Sequence, residues 1–248
     1  MSIQFLNCFT FRLRVPFKED TGALCLLLET NRGLLLVDTG PGREDYQRVP
    51  LMMRALQLVT QMPMDPNQAA VRQLARLNHR PEDVRHVVLT HMHFDHCGGL
   101  PDFPQATVHV HRREFEAFRR FPRRFLDLAY VPHHLAHQPD LMLYEARGKS
   151  WFDFPAIPLP FEPPMWLVPL FGHTRGHCGV VIETDGGYHF HVGSAAPIGF
   201  TEAVPQRLAR PMVGRHEARL RAFKAAHPEI GMTTGHMPLS FFDQLDGE

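Results

Sequence analysis

The stretch that most constrains the fold covers residues 87–100 and reads VVLTHMHFDHCGGL. It begins with the apolar run VVL, which is typical of a strand covered on both faces. Four side chains able to bind a metal ion then follow within six residues, in the pattern H-x-H-x-D-H. The alternative is a histidine-rich turn on the surface, which does not account for a buried strand leading directly into this pattern. We therefore interpret the stretch as a metal-binding loop at the end of a strand.

The spacing of these side chains supports a shared site. His91 and His93 are two residues apart, so both imidazoles point to the same side of an extended segment. Asp95 continues that parity, and His96 projects differently because the chain turns toward the following glycine pair. Catalytic zinc sites combine imidazole and carboxylate ligands and keep one coordination position for water. The pattern thus predicts a catalytic metal site.

The H-x-H-x-D-H pattern resembles the signature of the metallo-β-lactamase superfamily. Other segments occur in the family's order: VDTG ending at Gly40, GHTRGH beginning at Gly172, and TGH ending at His236. The resemblance covers nearly the whole chain. It implies an α/β fold, the four-layer αββα sandwich, in which helices cover two sheets. We expect a single domain over residues 1–248, with a helical excursion at residues 41–66 and an aromatic loop at residues 121–165 that forms a substrate wall.

Carried over position by position, the resemblance implies a set of metal ligands. The first metal is held by His91, His93 and His173, and the second by Asp95, His96 and His236. The implied cofactors are two divalent ions, zinc before iron or manganese, and the implied nucleophile is a hydroxide that the metals generate. Asp95 is the expected catalytic residue, which orients the hydroxide and shuttles a proton. Asp38 and His177 are expected to be structural.

One position departs from the family pattern. Members with two metals usually carry a bridging aspartate in a Gly-Asp pair after the GHT-x-GH motif, and Ser194 stands there in this chain. A serine hydroxyl is neutral and is a poor zinc ligand. Three outcomes stay open: two ions bridged by hydroxide alone, one tight and one weak ion, or a degenerate site. We favour a site that can hold two ions, because one subclass of true metallo-β-lactamases has the same ligand set.

The apolar spacing elsewhere predicts further elements. Residues 2–15 suggest a pair of strands, residues 48–61 an amphipathic helix, and residues 107–111 a strand. His109 and His111 share a face of that last strand, and we expect them at a pocket edge or on the surface. Tyr130 and Trp151 lie in the aromatic segment that we expect to form the substrate wall, and truncating either should alter substrate preference more than metal content.

Composition limits the partners and the compartment. Lys+Arg and Asp+Glu both number 26, so there is no electrostatic case for binding nucleic acid or an anionic membrane surface. No segment approaches 18 apolar residues, so no membrane span is expected. The N-terminal stretch lacks an apolar core with a cleavage site, which predicts a cytoplasmic protein. For the methionine-rich residues 41–66, a substrate lid or a homodimer contact is an alternative to the favoured ordinary packed excursion.

These observations favour a metal-dependent hydrolase that acts on a lactone, ester or related carbonyl compound. The layout resembles that of lactonase-type members, although the tyrosine that usually follows the bridging aspartate is absent: Ala195, Ala196 and Pro197 follow Ser194. The alternatives are a β-lactam or phosphodiester hydrolase with the same site, and a non-catalytic protein that binds a metal or ligand on this fold.

Overall fold

A long strand, β2, organises the first of two sheets. The computed structural model describes residues 2–12, 20–60, 62–120, 125–145, 149–200 and 212–245. The strands of the first sheet are β1 (Gln4–Phe11), β2 (Thr21–Thr30), β3 (Gly33–Val37), β4 (Val84–Val88), β5 (Thr107–His111), β6 (Leu141–Tyr144) and β14 (His236–Pro238). They follow the order β1-β2-β3-β4-β5-β6. Because β2 is long, one edge pairs with β3 along part of its length and with β14 along another part.

The second sheet has the order β13-β12-β11-β10-β9. Its strands are β9 (Ile157–Leu159), β10 (Met165–Pro169), β11 (Cys178–Thr184), β12 (Gly187–His191) and β13 (Gly231–Thr233), and a short hairpin, β7 (Ser150–Trp151) with β8 (Phe154–Pro155), precedes it. The β11–β12 hairpin turns at the Asp-Gly-Gly segment, where glycine tolerates the backbone of a tight turn.

Short helices cover the sheets. The α-helices are α1 (Arg43–Gln47), α2 (Leu51–Thr60), α3 (Ala70–Arg76), α4 (Phe94–Cys97), α5 (Arg112–Phe118), α6 (Glu217–Ala226) and α7 (Leu239–Leu245). The 3₁₀ helices are Pro66–Gln68, Pro81–Asp83, Leu100–Asp102, Phe125–Ala129, Pro132–Leu135, Gly193–Ala195 and Ile198–Phe200. No helix within the described ranges is long and apolar enough to cross a membrane.

Side-chain alternation along β2 shows how the layers form. Leu24 and Leu26 point into the core between the two sheets, where they meet strand residues of the second sheet. Cys25 and Leu27 point the other way, into a core shared with α3. A third core lies between the second sheet and α6, which contributes Leu220. The order is therefore helix, sheet, sheet, helix, and the predicted αββα sandwich is confirmed.

Two predictions about segments need correction. Residues 2–15 do not form a pair of strands in their described part: residues 4–11 are the single strand β1, whose register shifts between Asn7 and Thr10. That irregularity breaks the alternation and imitates a connection. The segment 121–165 is not one long loop either, since β6 pairs with β5 and β7 to β9 follow. Residues 121–124 and 146–148 of that segment lie outside the described residues.

The predicted excursion at residues 41–66 contains α1 and α2. The amphipathic helix expected at residues 48–61 is observed as α2, and residue 61 lies outside the described residues. Met53 on this helix is fully buried, whereas Leu51 and Leu58 are 84% and 81% exposed. Among the described side chains of this helix, Met53 packs inward and the two leucines face solvent, and a homodimer contact stays a prediction.

Candidate metal centre

The first group of converging side chains is the triad of His91, His93 and His173. One ring nitrogen of each lies within 4.8 Å of those of the other two. His93 Nδ1 and His173 Nε2 are 3.1 Å apart, although 80 positions separate the two residues in the chain. The loop after β4 supplies the first two histidines and the loop after β10 supplies the third. The fold thus places the three side chains at neighbouring strand ends, as the sequence predicts.

Hydrogen bonds fix which nitrogen atoms face the interior of this triad. The Thr90 hydroxyl donates to Asp38 Oδ2 over 2.7 Å, so it can only accept from His91 Nδ1, which lies 3.0 Å away. With its proton on Nδ1, His91 has a free electron pair on Nε2. His173 Nδ1–H is held in the same way by donation to the Met212 carbonyl oxygen. Both rings therefore present Nε2 to the triad, in the orientation that metal-binding histidines adopt.

Burial keeps the first triad uncharged at neutral pH. It lowers the pKa of His91 and of His93 well below the ordinary histidine value, and the neighbouring histidines lower both further. Burial also lowers the pKa of His173 to about 4. Because neutral imidazole is the form that binds metal, the triad can take a cation at pH 7 without first losing protons.

The second group is the triad of Asp95, His96 and His236, whose ligand atoms also lie within 4.8 Å of one another. Asp95 Oδ2 is 3.4 Å from His96 Nε2 and 3.3 Å from His236 Nε2. Helix α4 carries the first two residues, and β14 carries the third. The structure thus brings together all six side chains that the sequence predicts as ligands, in two groups of three.

Asp38 supports both triads without belonging to either. It accepts the Thr90 backbone N–H over 2.8 Å and His96 Nδ1–H over 2.7 Å, in addition to the Thr90 hydroxyl. Its predicted structural role is confirmed. Although burial disfavours a charged ring, Asp95 and Asp38 raise the pKa of His96 to about 10. Carboxylates that favour a proton on this ring also favour a metal cation beside it.

Buried nitrogen atoms without partners test whether a metal fits these groups. His91 Nε2 and His96 Nε2 are shielded from solvent, and neither makes a hydrogen bond to any residue that the structure describes. A buried polar atom left in that state costs about 1–3 kcal/mol, and coordination to a cation removes the cost. Three imidazole nitrogens in the first triad, and two imidazole nitrogens with a carboxylate in the second, suit zinc or a similar divalent ion. The donor set therefore fits the predicted cofactor.

Ser194 lies beside the second triad. A Cβ atom added to Gly235 would be 3.1 Å from Ser194 Oγ and 3.0 Å from His96 Cε1, so the hydroxyl and the ring border the same narrow space. Ser194 Oγ is buried and has no hydrogen-bond partner in the described part of the chain. The Ser194 N–H donates to His177 Nε2 over 3.0 Å, which confirms the structural role of His177. Gly193 permits this contact, because its φ is 55° and a Cβ there would lie 2.7 Å from His177 Nε2.

Glu114 is a fully buried carboxylate that the sequence analysis missed. Its Oε1 accepts the Met92 N–H and the Tyr130 hydroxyl, each over 3.0 Å. Its Oε2 accepts the Thr174 hydroxyl over 2.6 Å and the Gly176 N–H over 3.0 Å. Glu114 therefore ties the loop of His91 and His93 to the loop of His173. A signal was present in the sequence, because Glu114 precedes the apolar pair Ala117 and Phe118 at helical spacing.

The expectation that His109 and His111 lie at a pocket edge or on the surface is wrong for His109 and holds for His111, which lines a surface pocket with Arg112 and Glu116. The two histidines are only 2% and 6% exposed. His109 Nδ1 and the Tyr144 hydroxyl are 2.8 Å apart, and His111 Nδ1 accepts the Arg113 N–H at the start of α5. His109 therefore hydrogen-bonds within the first sheet, and His111 caps the start of α5.

The two aromatic residues expected in the substrate wall lie in different environments. The Tyr130 ring contacts His93, with ring centroids 5.1 Å apart, and the side chain is half-buried. Trp151 packs in the core under α6, with Phe190 and Phe223 among its neighbours. The expectation is therefore wrong for Trp151, because its ring fills the core between the second sheet and α6.

Comparisons with known proteins agree with this geometry. Residues 19–239 match the family model of the metallo-beta-lactamase superfamily. A probable metallo-hydrolase of Mycobacterium tuberculosis is 35% identical over 235 residues, which cover 90% of this chain and 71% of that protein. An N-acyl homoserine lactonase of Bacillus cereus is 28% identical over 162 residues, which cover 65% of this chain and 58% of that protein.

Solved structures show the same fold. One is an N-acyl homoserine lactone hydrolase with the product N-hexanoyl-L-homoserine bound at its catalytic metal centre. It aligns with a TM-score of 0.64 at 22% identity, over 95% of this chain and 92% of that chain. Another is a probable metal-dependent hydrolase from Staphylococcus aureus, with a TM-score of 0.65 at 19% identity over 95% of this chain and 89% of that chain.

Proposed function

Because the chain belongs to the metallo-β-lactamase superfamily, we propose that it is a metal-dependent hydrolase that opens lactones or cleaves related esters. The observation that carries the proposal is the pair of converging triads, each with a buried Nε2 atom that makes no hydrogen bond to a described residue. The lactonases among its relatives support the choice of substrate class. The substrate would be a small molecule.

Two divalent ions, zinc by ligand type, would be held by the two triads. His91, His93 and His173 would hold the first, and Asp95, His96 and His236 the second. When bound, such ions lower the pKa of water and polarise a carbonyl oxygen. Thr90 and Asp38 hold the His91 and His96 rings so that their Nε2 atoms face this space before any cation arrives.

Asp95 is the proposed catalytic residue. Burial raises its pKa, but His96 and His236 outweigh that effect and hold the pKa well below the usual carboxyl range. The carboxylate is therefore ionised at neutral pH, so it can accept a proton and deliver it to the departing alkoxide. Ala195 and Ala196, which follow Ser194, are buried and offer no hydroxyl for that task. Tyr130 donates its hydroxyl to Glu114. The Ser194 hydroxyl beside the second triad is neutral, so the ionised Asp95 is the proposed proton carrier.

The charge around the site supports a carbonyl substrate over a phosphodiester. Arg175 is the only arginine within the GHTRGH motif. Its Nη2 lies 2.8 Å from Asp127 Oδ2, and both side chains are largely buried. This pairing offsets the positive charge that an anionic phosphodiester would need.

The experiment that tests the proposal compares substrate classes. Zinc-loaded protein would be assayed against an N-acyl homoserine lactone, a simple γ-lactone, an aryl ester, a thioester, a β-lactam and a phosphodiester. We expect the highest kcat/KM for a lactone or ester. Asp95→Asn should lose most of that activity, since an amide cannot carry the proton. Preferred hydrolysis of the β-lactam or the phosphodiester, or no turnover of any substrate, would contradict the proposal.

We propose further that the neighbourhood of Tyr130 forms part of the substrate wall. Tyr130→Ala should change the ratio of kcat/KM between short-chain and long-chain lactones. Trp151→Ala is the matched control: it should lower the free energy of unfolding by about 3–5 kcal/mol, the usual cost of emptying a large core position. That control should leave the substrate ratio of the folded protein unchanged. A changed ratio in Trp151→Ala and not in Tyr130→Ala would place the wall elsewhere.

Ser194 offers a test of the second ion. Ser194→Asp should supply the missing bridging carboxylate and tighten binding of the second zinc by about tenfold or more, because carboxylate is a far better ligand than hydroxyl. Ser194→Ala should leave zinc content nearly unchanged. Zinc titration of the wild type and both variants under identical conditions measures the effect. A large loss of zinc in Ser194→Ala would show that the serine is itself a ligand.

A further inference from the structure

A third cluster of metal-binding side chains lies outside the two triads. It consists of Asp45 on α1 and of His133 and His134 in the 3₁₀ helix Pro132–Leu135. One ligand atom of each residue lies within 4.8 Å of those of the other two, which is the same criterion that the two triads meet. Asp45 and His134 are fully buried, whereas the His133 side chain is 38% exposed. We call this group the Asp45 cluster.

The donor atoms of the Asp45 cluster are spaced like those of the second triad. Asp45 Oδ1 lies 2.8 Å from His134 Nε2 and 3.6 Å from His133 Nε2. The two imidazole rings are 4.5 Å apart between centroids. A cation about 2.0–2.2 Å from each of three ligand atoms needs separations of this size between them. The three atoms can therefore surround one ion with small movements.

Hydrogen bonds within the protein do not account for the whole cluster. The second oxygen of Asp45, Oδ2, accepts the Gly42 N–H at the start of α1. Oδ1 is the partner of His134. His133 Nε2 is shielded from solvent and makes no hydrogen bond within the part of the chain that the structure describes. It resembles His91 Nε2 in this respect, and a buried nitrogen without a partner is costly unless a ligand meets it.

The contacts of His134 are compatible with a cation. Cys97 Sγ lies 3.8 Å from His134 Nδ1, and its thiol donates to the Met92 carbonyl oxygen over 3.2 Å. His134 Nε2 and Asp45 Oδ1 are 2.8 Å apart, which is a hydrogen-bond distance, so a proton on Nε2 joins them when no metal is bound. A divalent cation that displaces this proton would bind both atoms.

We propose that the Asp45 cluster binds a third divalent cation, separate from the two-triad centre. Two imidazole nitrogens and one carboxylate suit zinc, and water would complete the coordination on the exposed side of His133. The ion would join α1 to a helix 89 positions later in the chain. Through Cys97 the cluster also adjoins α4, which carries Asp95 and His96. The role that follows is structural, since a cation here fastens α1 to the 3₁₀ helix Pro132–Leu135, which adjoins α4.

The test is zinc content per chain after loading with zinc alone and removal of the excess. The sharpest variant is His133→Ala, because this partly exposed ring supplies a ligand atom without any other described bond. His79→Ala, which changes a half-buried histidine outside all three clusters, is the matched control. We expect three zinc ions in the wild type and in the control, and two in His133→Ala. The rate of hydrolysis by His133→Ala should stay within about twofold of the wild-type rate. Zinc should raise the melting temperature of His133→Ala less than it raises that of the wild type.

Other outcomes separate this inference from the proposed function. If His133→Ala retains the zinc content of the wild type, the third site does not exist. If no substrate is hydrolysed and His133→Ala still loses one zinc ion, the third site stands and the proposed function fails. His91→Ala provides a second check, because it should keep the ion that His133→Ala loses.

Discussion

His91→Ala should lose the ion of the first triad and almost all hydrolytic activity. The other two ligands of that ion are His93 and His173. Thr90, which orients the His91 ring, does not replace the lost nitrogen ligand. Removal of a residue that merely orients a metal ligand typically costs 10–100-fold in metal affinity or activity, so the loss of a ligand itself should exceed about 100-fold. His173→Ala should behave in the same way.

Zinc titration and kcat/KM on the same preparations measure this effect. His79→Ala again serves as the control, because it removes a half-buried imidazole that belongs to none of the three clusters. The melting temperatures of metal-free His91→Ala, His173→Ala and His79→Ala should be similar. Full zinc stoichiometry in either His91→Ala or His173→Ala would contradict the ligand assignment.

Glu114→Ala should destabilise the protein and weaken the first triad at the same time. The carboxylate accepts four hydrogen bonds, and its removal leaves the buried N–H groups of Met92 and Gly176 without an acceptor. Each buried donor left unsatisfied costs about 1–3 kcal/mol, so the free energy of unfolding should fall by about 3 kcal/mol or more. Because the two loops are no longer tied together, zinc affinity at the first triad should fall as well.

Glu116→Ala is the matched control for this prediction. Glu116 lies on the same helix, and its exposed side chain is 3.7 Å from Arg120. An exposed pair of that kind contributes about 0–1 kcal/mol. Denaturant unfolding of the metal-free proteins measures the change in the free energy of unfolding. Zinc titration under conditions well below the unfolding range measures the change in zinc affinity. A Glu114→Ala protein with the zinc affinity of the wild type would show that Glu114 is needed for stability alone.

The metal loops could be predicted from the sequence because their signals are local. The apolar run before His91 and the spacing of the four following ligands are readable without knowledge of the fold. The structural role of Asp38 was implied by the family resemblance of the VDTG segment. His173 and His236 lie far away in the chain, and their placement required the family resemblance, since spacing alone cannot bring distant loops together.

The residues that sequence reasoning missed or misplaced depend on tertiary packing. Alternation showed that His109 and His111 share one face of β5 but not that this face is covered. Trp151 follows a polar stretch that resembles a loop, and packing against the second sheet and α6 buries it. Glutamate is a residue type that usually lies on the surface. Glu114 is buried because four hydrogen-bond donors from three separate segments bind its carboxylate. In β1 the register shift between Asn7 and Thr10 hid the continuity of the strand.

The most direct test of the account is a zinc titration of metal-free protein in which ring opening of an N-acyl homoserine lactone is followed at each step. It is best done on the His133→Ala variant, so that the count of bound ions refers to the two triads alone. We predict that the rate rises with zinc, reaches its maximum at two ions per chain, and falls to background in the same variant carrying Asp95→Asn. A protein with two bound zinc ions that opens no lactone and cleaves no ester would contradict this prediction.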